Sequence, residues 1–224
     1  DEKLLEVEIK KGDVCAVIFE AIQGVGGLDE PSEGFIYAMD RLCKNYNVCL
    51  IADEVQSGFS RSGTFFAYQK CSIEPSIITM AKGMGNGFPV GGILAHSSIE
   101  SKYGMLGTTF GGNHLACSAS LAVLDVIKKE GLQEHAKELG NYFTDFAKKI
   151  SSVKKVKGRG LMLGLEFDFP VGPLRKELIY NQHIFTGGSS NKNILRILPP
   201  LTIQKKHFDI FFQKLEEALK AINA

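Results

Sequence analysis

VCLIADEVQSGFSRSG, residues 48–63, opens with a short apolar run and then breaks into a polar turn that contains glycine. SIITMAKGMGNGFPVGG, residues 76–92, follows the same plan. Each apolar run predicts a buried strand of a parallel sheet, because such strands are covered on both faces. Asp53 and Lys82 then stand at the carboxyl ends of two strands, which is where ligands gather in open α/β sheets.

A carboxylate and an amine at one sheet edge suit a particular cofactor. Pyridoxal 5′-phosphate (PLP) needs an acid beside its ring nitrogen, which Asp53 can supply, and a lysine for its aldehyde, which Lys82 can supply. Because Lys82 follows an apolar strand, we expect desolvation to lower the pKa of its amine. Taken alone, a capping aspartate and a surface lysine would be the simpler interpretation of these two residues.

Longer motifs carry a family resemblance. IADEVQSGFSRSG (51–63), AKGMGNGFPVGG (81–92) and GTTFGGNHLACSASLAVL (107–124) occur in the chain in that order. In order and spacing they resemble the class III, ornithine-aminotransferase-like branch of the fold-type I PLP-dependent aminotransferases. The resemblance continues through GRGLMLGLEF (158–167) to LRILPPL (195–201), so that it covers nearly the whole chain.

The resemblance implies a fold and a domain organisation. The fold is α/β, of the PLP-dependent transferase fold type I. Residues 1–130 would form the carboxy-terminal part of the large PLP-binding domain, with a parallel-rich sheet, and residues 131–224 a small α+β domain. Family members carry an upstream portion with a phosphate loop, a ring-stacking aromatic residue and part of the substrate pocket. We therefore expect a carboxy-terminal portion of an aminotransferase, inactive and weak in PLP binding when isolated.

The resemblance also implies roles for individual side chains around the cofactor. Lys82 would attach covalently to PLP and move the substrate proton, Asp53 would face the ring nitrogen, and Gln56 would lie near the phenolic oxygen. Thr109, with Thr108 beside it, would hydrogen-bond the cofactor phosphate of the neighbouring subunit, which implies a homodimer with composite active sites. Outside the motif, Gln56 could equally be a solvated loop amide, and the two threonines part of a polar loop.

Arg196 is the candidate substrate-binding residue. It is the one guanidinium in the apolar run ILRILPP, and a buried arginine fits a planar carboxylate in bidentate fashion. By resemblance it grips the substrate α-carboxylate, whereas a structural salt bridge is the alternative. Glu20 and Gln23 match a family motif, and by resemblance we expect them to contact the residues that bind the ligands and not the ligands themselves. Val25 stands where ornithine-type members usually carry a glutamate able to pair with this arginine, which leaves the amino donor open.

The implied activity is that of an acetylornithine or succinylornithine aminotransferase of arginine biosynthesis, with 2-oxoglutarate as the amino acceptor. Another ω-aminotransferase acting on ornithine or 4-aminobutyrate, or an aminomutase, remains an alternative within the same fold. The non-enzymatic alternative is that the chain is a folded fragment without catalytic activity.

Composition and charge argue against several other functions. The formal net charge of +1 provides no basic field for nucleic acid or anionic lipid. No apolar run approaches the roughly 18 residues of a membrane span, and the glycine clusters GVGG and GMGNG do not match nucleotide-binding motifs. The five cysteines are never spaced C-x-x-C and the five histidines are scattered, so we expect reduced, mostly buried thiols and no metal site. We expect a cytoplasmic enzyme that binds neither nucleic acid nor membrane.

The alternation of strands and helices predicts a parallel, doubly wound layer followed by a smaller α+β region. Residues 1–13 look like a charged connection, and Asn113 is a plausible cap for the helix that follows it. The predicted elements are strands at 16–20, 48–52, 77–80 and 91–95, helices at 32–46, 114–130 and 133–150, and a final amphipathic helix that includes Phe208, Phe211, Phe212, Leu215, Leu219 and Ile222.

Overall fold

A computed structural model describes residues 1–222 of the chain, and these form two compact units. The amino-terminal unit comprises Asp1–Ala21, Glu30–Phe59 and Phe65–Glu130. The carboxy-terminal unit comprises Ile22–Asp29, Ser60–Thr64 and the described residues from Gly131 onward. The single predicted boundary at residue 130 did not separate these two short segments, which belong to the second unit although they lie within the first 130 residues. The identity of the units as a large-domain part and a small domain stays a prediction.

The amino-terminal unit contains a four-stranded sheet with strand order β1-β2-β3-β4. The strands are β1 (Ala16–Phe19), β2 (Cys49–Asp53), β3 (Ile77–Met80) and β4 (Gly92–Ala95). The pairs β1–β2 and β2–β3 are parallel, whereas β3–β4 is antiparallel. The sheet is thus parallel-rich, as expected, and β4 is the one strand that departs from the predicted parallel layer. Residues 81–91 form too short a connection for a parallel crossover, which needs a dozen or more residues.

Three helices complete this unit, α1 (Glu2–Ile9), α2 (Glu33–Asn45) and α3 (His114–Lys129). The prediction of a charged connection at the start of the chain is wrong, because Asp1 caps α1 by accepting hydrogen bonds from two backbone N–H groups of its first turn. The predicted cap of α3 is confirmed, since Asn113 Oδ1 accepts a first-turn N–H at 3.0 Å.

The carboxy-terminal unit is built on an antiparallel three-stranded sheet of β5 (Lys155–Arg159), β6 (Met162–Glu166) and β7 (Ile194–Ile197), in that order. Arg196 of β7 lies opposite Gly164 of β6. Every residue of β6 except the last is buried, so this strand runs through the core of the unit.

Three helices pack around that core, α4 (Leu132–Ala147), α5 (Gly172–Tyr180) and α6 (Lys205–Ile222). Their apolar residues recur at helical spacing and cover one face of each helix. Phe143 of α4 and Phe208 of α6 are both almost fully buried, with ring centroids 4.9 Å apart. The helix α4 ends at Ala147, earlier than its predicted end at residue 150, and the predicted final amphipathic helix is α6.

Arg61 holds the segment Ser60–Thr64 in the carboxy-terminal unit. Its Nη1 donates to the carbonyl oxygens of Leu161, at 3.3 Å, and Pro199, and its own carbonyl accepts the Leu161 N–H at 2.9 Å. Burial lowers the pKa of Arg61 to about 10, which leaves it charged at neutral pH. Gly160, with φ of +57°, is needed beside this segment, because a Cβ there would lie 2.3 Å from the carbonyl carbon of Ser62.

All five cysteines are free thiols. Cys43 and Cys71 are buried, and burial raises the pKa of the Cys43 thiol to about 11. The prediction of buried thiols is wrong for Cys15 and Cys117, which are exposed. Among residues 1–222 no helix is long and apolar enough to cross a membrane. In the same part of the chain no three His, Cys, Asp or Glu side chains come together as a possible metal site.

Candidate active site

The turn after β2 is anchored by Glu54, whose side chain is only 1% exposed. Its Oε2 accepts hydrogen bonds from Ser57 Oγ at 2.6 Å and from the Ala67 N–H at 2.9 Å, and its Oε1 accepts the Tyr68 N–H at 2.8 Å. A buried carboxylate is costly unless donors of this kind surround it. Glu54 therefore has a structural role and fixes the course of the turn.

Asp53 is the last residue of β2 and is partly buried. Its Oδ1 accepts hydrogen bonds from the Val55 N–H at 3.0 Å and from Thr79 Oγ1 at 3.2 Å. Thr79 is its register partner in β3, so the hydroxyl is held in place by the sheet. Within residues 1–222, no hydrogen bond reaches Oδ2. The structure thus orients the carboxylate through one oxygen and leaves the other available.

Gln56 lies two residues past Glu54 in the same turn. Its Oε1 is buried and has no hydrogen-bond partner in the described part of the chain. Buried polar side-chain atoms are paired in the large majority of cases, and each exception calls for an explanation. The turn therefore satisfies the buried carboxylate of Glu54 and leaves the buried Oε1 of Gln56 without a partner among residues 1–222.

Lys82 follows the end of β3 and begins a short 3₁₀ turn, Lys82–Met84. Its φ of +45° is unusual for a residue other than glycine, and such strain concentrates at functional sites. The side chain is exposed, contrary to the predicted desolvation, because β3 ends at Met80 and Lys82 lies in the turn beyond the strand. Its Nζ makes no hydrogen bond or ion pair to any of residues 1–222. Gly85 permits the tight turn, since a Cβ there would lie 2.3 Å from the Phe88 carbonyl oxygen.

The turns after β2 and β3 contact each other. A Cβ on Gly83 would lie 3.5 Å from the Cβ of Phe59, and the two strands are parallel neighbours. The structure therefore brings Asp53, Gln56 and Lys82 to the same edge of one sheet.

The other predicted site residues of the amino-terminal unit, Glu20, Thr108 and Thr109, come from parts of the chain outside the turns after β2 and β3. Glu20 directly follows β1 and is partly buried. Thr108 and Thr109 are exposed in the loop before α3. The Oγ1 of Thr108 accepts the Gly111 N–H at 3.2 Å, whereas Thr109 makes no hydrogen bond within the described residues. Their contact with a neighbouring subunit stays a prediction.

Arg196 and Gln23 belong to the carboxy-terminal unit. Arg196 is partly buried, and its Nη1 donates to the Gly24 carbonyl oxygen at 2.8 Å. Its Nε is buried and has no partner among residues 1–222, and no ion pair is found there for its guanidinium. The structural salt bridge considered above therefore has no counterpart in this part of the chain. Gln23 is exposed, and the neighbouring Val25 has 62% of its surface exposed.

Two groups that hydrogen-bond the candidate residues, the Thr79 hydroxyl and the Gly24 carbonyl, were not predicted from the sequence. Thr79 could have been found, because it is the polar member of the apolar strand IITM. The carbonyl of Gly24 could not, because every residue has a carbonyl group and only the fold shows which one meets Arg196.

Three comparisons with known proteins agree with one another. The family model described as "Aminotransferase class-III" matches residues 2–219. An acetylornithine aminotransferase from Aquifex aeolicus is 44% identical, over 97% of this chain and 56% of its own length. An ornithine aminotransferase structure from Toxoplasma gondii superposes with a TM-score of 0.91 at 30% identity, covering 100% of this chain and 55% of that one. A second structure of the Toxoplasma gondii enzyme, with PLP partially occupying its active site, superposes with a TM-score of 0.90 at 30% identity and the same coverage.

The chain spans about half the length of the curated relatives that it matches. The match nevertheless extends over almost all of this chain, and both the sequences and the structures point the same way. The resemblance and the fold type predicted from the motifs are confirmed. The chain belongs to the class-III aminotransferase family.

Proposed function

We propose that this chain contributes the PLP-anchoring lysine and carboxylate of an aminotransferase. The amino donor is acetylornithine or succinylornithine, the acceptor is 2-oxoglutarate, and the reaction belongs to arginine biosynthesis. One observation carries the proposal: Asp53, Gln56 and Lys82 share one sheet edge, and each has a polar atom without a partner among residues 1–222. The similarity to an acetylornithine aminotransferase supports the choice of donor.

The donor and acceptor groups at this edge fit PLP. Asp53 Oδ2 would accept the ring N–H, the Gln56 amide N–H would donate to the phenolic oxygen, and the Lys82 amine would attach to the aldehyde carbon. When bound, PLP supplies an electron sink for the electrons released as a proton leaves the substrate carbon. Asp53 strengthens that sink, because a negative charge beside the ring nitrogen favours its protonated form.

Lys82 has two tasks in this proposal. Its amine would hold the cofactor covalently between turnovers. When it is not attached to the cofactor, its Nζ would move a proton from the carbon that bears the substrate amino group to the former aldehyde carbon of the cofactor. The exposed position of Lys82 on a strained turn leaves its amine accessible to both partners.

Arg196 would bind a carboxylate of the amino donor and of 2-oxoglutarate. Its Nη1 is held by the Gly24 carbonyl at 2.8 Å, and its Nε is still without an acceptor in the described chain. A planar guanidinium with free N–H groups matches the two oxygens of a carboxylate. The neutral side chain of Val25 adds no competing carboxylate next to this carbonyl.

The active unit in this proposal is a homodimer in the cytoplasm with composite sites. Thr108 and Thr109 precede the first turn of α3, and hydroxyl and N–H groups before a helix can bind a phosphate. Each pair of threonines would serve the cofactor phosphate of the neighbouring subunit, as the family resemblance implies.

Ornithine is the second candidate donor, because the similar Toxoplasma gondii structures are ornithine aminotransferases. Identifying the products formed from acetylornithine, succinylornithine, ornithine and 4-aminobutyrate by mass spectrometry separates the candidates. If only ornithine gave a product, ornithine would replace acetylornithine or succinylornithine as the proposed donor.

Replacing Lys82 with alanine should abolish covalent PLP attachment, because it removes the amine that would join the cofactor aldehyde. The full-length protein is incubated with PLP, reduced with borohydride and denatured, and its intact mass is measured. Wild-type protein should retain one cofactor per chain and Lys82→Ala none. Lys129→Ala, a control at the exposed end of α3, should behave like wild type. Retention of PLP by Lys82→Ala would contradict the assignment.

Asp53→Ala and Arg196→Ala should damage different steps. Loss of Arg196 should weaken carboxylate binding by about 2–5 kcal/mol and leave the spectrum of bound PLP unchanged. Loss of Asp53 should slow the proton-transfer step even when PLP is bound. Single-turnover kinetics at several substrate concentrations separate the two effects. If Arg196→Ala removed the cofactor and spared substrate affinity, the two roles would be exchanged.

Mixed dimers test the composite site. A Lys82→Ala subunit paired with a Thr109→Ala subunit places both lesions in one site and neither in the other, so that activity should recover relative to either parent dimer. The measurement is the turnover of purified heterodimers carrying two different affinity tags. If verified heterodimers show no recovery, Thr109 does not serve the neighbouring subunit.

A further inference from the structure

A closed loop, residues 22–29, lies against the sheet of the carboxy-terminal unit. The Gln23 N–H donates to the Asp29 carbonyl and the Leu28 N–H donates to the Gln23 carbonyl, both at 2.9 Å. Leu28 is fully buried, and a Cβ on Gly164 of β6 would lie 2.7 Å from its Cδ1. Because glycine has no Cβ, Leu28 of the loop can pack directly against β6 at Gly164.

This loop carries the carbonyl that contacts Arg196. Gly24 is part of it, and its oxygen accepts Arg196 Nη1 at 2.8 Å. The next residue, Val25, accepts the Ser190 N–H at 2.9 Å. Gly164, against which the loop packs, is also the register partner of Arg196. A shift of the loop would consequently move the one acceptor that the Arg196 side chain has among residues 1–222.

Lys157 of β5 holds the far end of the loop. Its side chain is only 8% exposed, and its Nζ lies 2.9 Å from Asp29 Oδ1, 3.1 Å from Asp29 Oδ2 and 3.4 Å from Glu166 Oε2. Burial alone lowers the pKa of Lys157, but the hydrogen bond and charge of Asp29, with the charge of Glu166, outweigh burial and raise it. The ammonium is therefore charged at neutral pH and pairs with both carboxylates.

We propose that Lys157 is a positioning residue for Arg196. By holding Asp29, it fixes the 22–29 loop and with it the Gly24 carbonyl that sets the plane of the Arg196 guanidinium. Orienting a long side chain before a ligand arrives reduces the entropy lost on binding, so carboxylate affinity rises without a new contact. This inference rests on the proposed function, in which Arg196 binds the carboxylate of the substrate.

A purely structural lysine and a positioning lysine differ in what their loss changes. Removal of a structural lysine lowers stability and the amount of folded enzyme, which reduces kcat per total protein. Loss of a positioning lysine weakens the binding of carboxylate substrates while the folded enzyme keeps its kcat. The split between KM and kcat, together with the order of the loop itself, therefore separates the two roles.

The test uses Lys157→Met, which removes the charge and keeps an unbranched side chain of similar length, and Asp29→Asn, which removes the charge of a half-exposed partner and leaves the buried lysine in place. In the full-length holoenzyme, KM for 2-oxoglutarate should rise roughly 5- to 30-fold in each variant with kcat nearly unchanged. Lys157→Arg should retain most of the wild-type affinity. Hydrogen exchange at the Gln23 and Leu28 amides should speed up in the first two variants, a readout that does not depend on turnover.

Lys154→Met is the matched control. It breaks the exposed pair between Lys154 and Asp168, 3.0 Å apart in the same unit, and should change neither KM nor exchange in the loop. Unchanged KM in both Lys157→Met and Asp29→Asn, or a fall in kcat alone, would overturn the positioning role. If Arg196→Ala also left KM unchanged, the substrate role of Arg196 would fail instead, which separates the two claims.

Discussion

The buried carboxylate of Glu54 accepts hydrogen bonds from Ser57 Oγ and from the N–H groups of Ala67 and Tyr68, and these bonds hold the turn that follows β2. Burying an ionised carboxylate is costly without them, so the turn has little freedom to rearrange. Asp53 and Gln56 flank this anchor, and each retains an oxygen without a partner in the described chain. The turn is stabilised by Glu54, and the groups on either side remain free to bind a ligand.

The carboxy-terminal unit also has one buried charge that is fully paired and one group nearby that is not, here with positively charged side chains. Lys157 is buried and satisfied by Asp29 and Glu166, whereas Arg196 keeps a buried Nε without an acceptor among residues 1–222. A satisfied charge fixes the backbone, and an unsatisfied group beside that backbone is left for a ligand. In the proposed enzyme the first unit holds the cofactor in this way and the second the carboxylate of the substrate.

Local sequence patterns predicted much of this arrangement. Contacts between residues far apart in the sequence could not be predicted from those patterns. The apolar strands, the Asn113 cap and the position of Asp53 at a strand end follow from nearby residues, and the structure has them. The antiparallel direction of β4 and the exposure of Lys82 depend on how the chain turns after β3, which hydrophobic patterning does not encode. The contact of Arg196 with the Gly24 carbonyl joins residues far apart in sequence, so no local signal announces it.

The protonation state of the cofactor ring tests the central claim most directly. Full-length protein loaded with PLP carrying ¹⁵N in the ring is compared with Asp53→Asn by NMR, since the ¹⁵N chemical shift distinguishes a protonated from an unprotonated pyridine nitrogen. If the free Oδ2 of Asp53 faces the ring nitrogen, the wild-type nitrogen is protonated and the nitrogen in the variant is not. The same protonation state in both proteins would contradict the account.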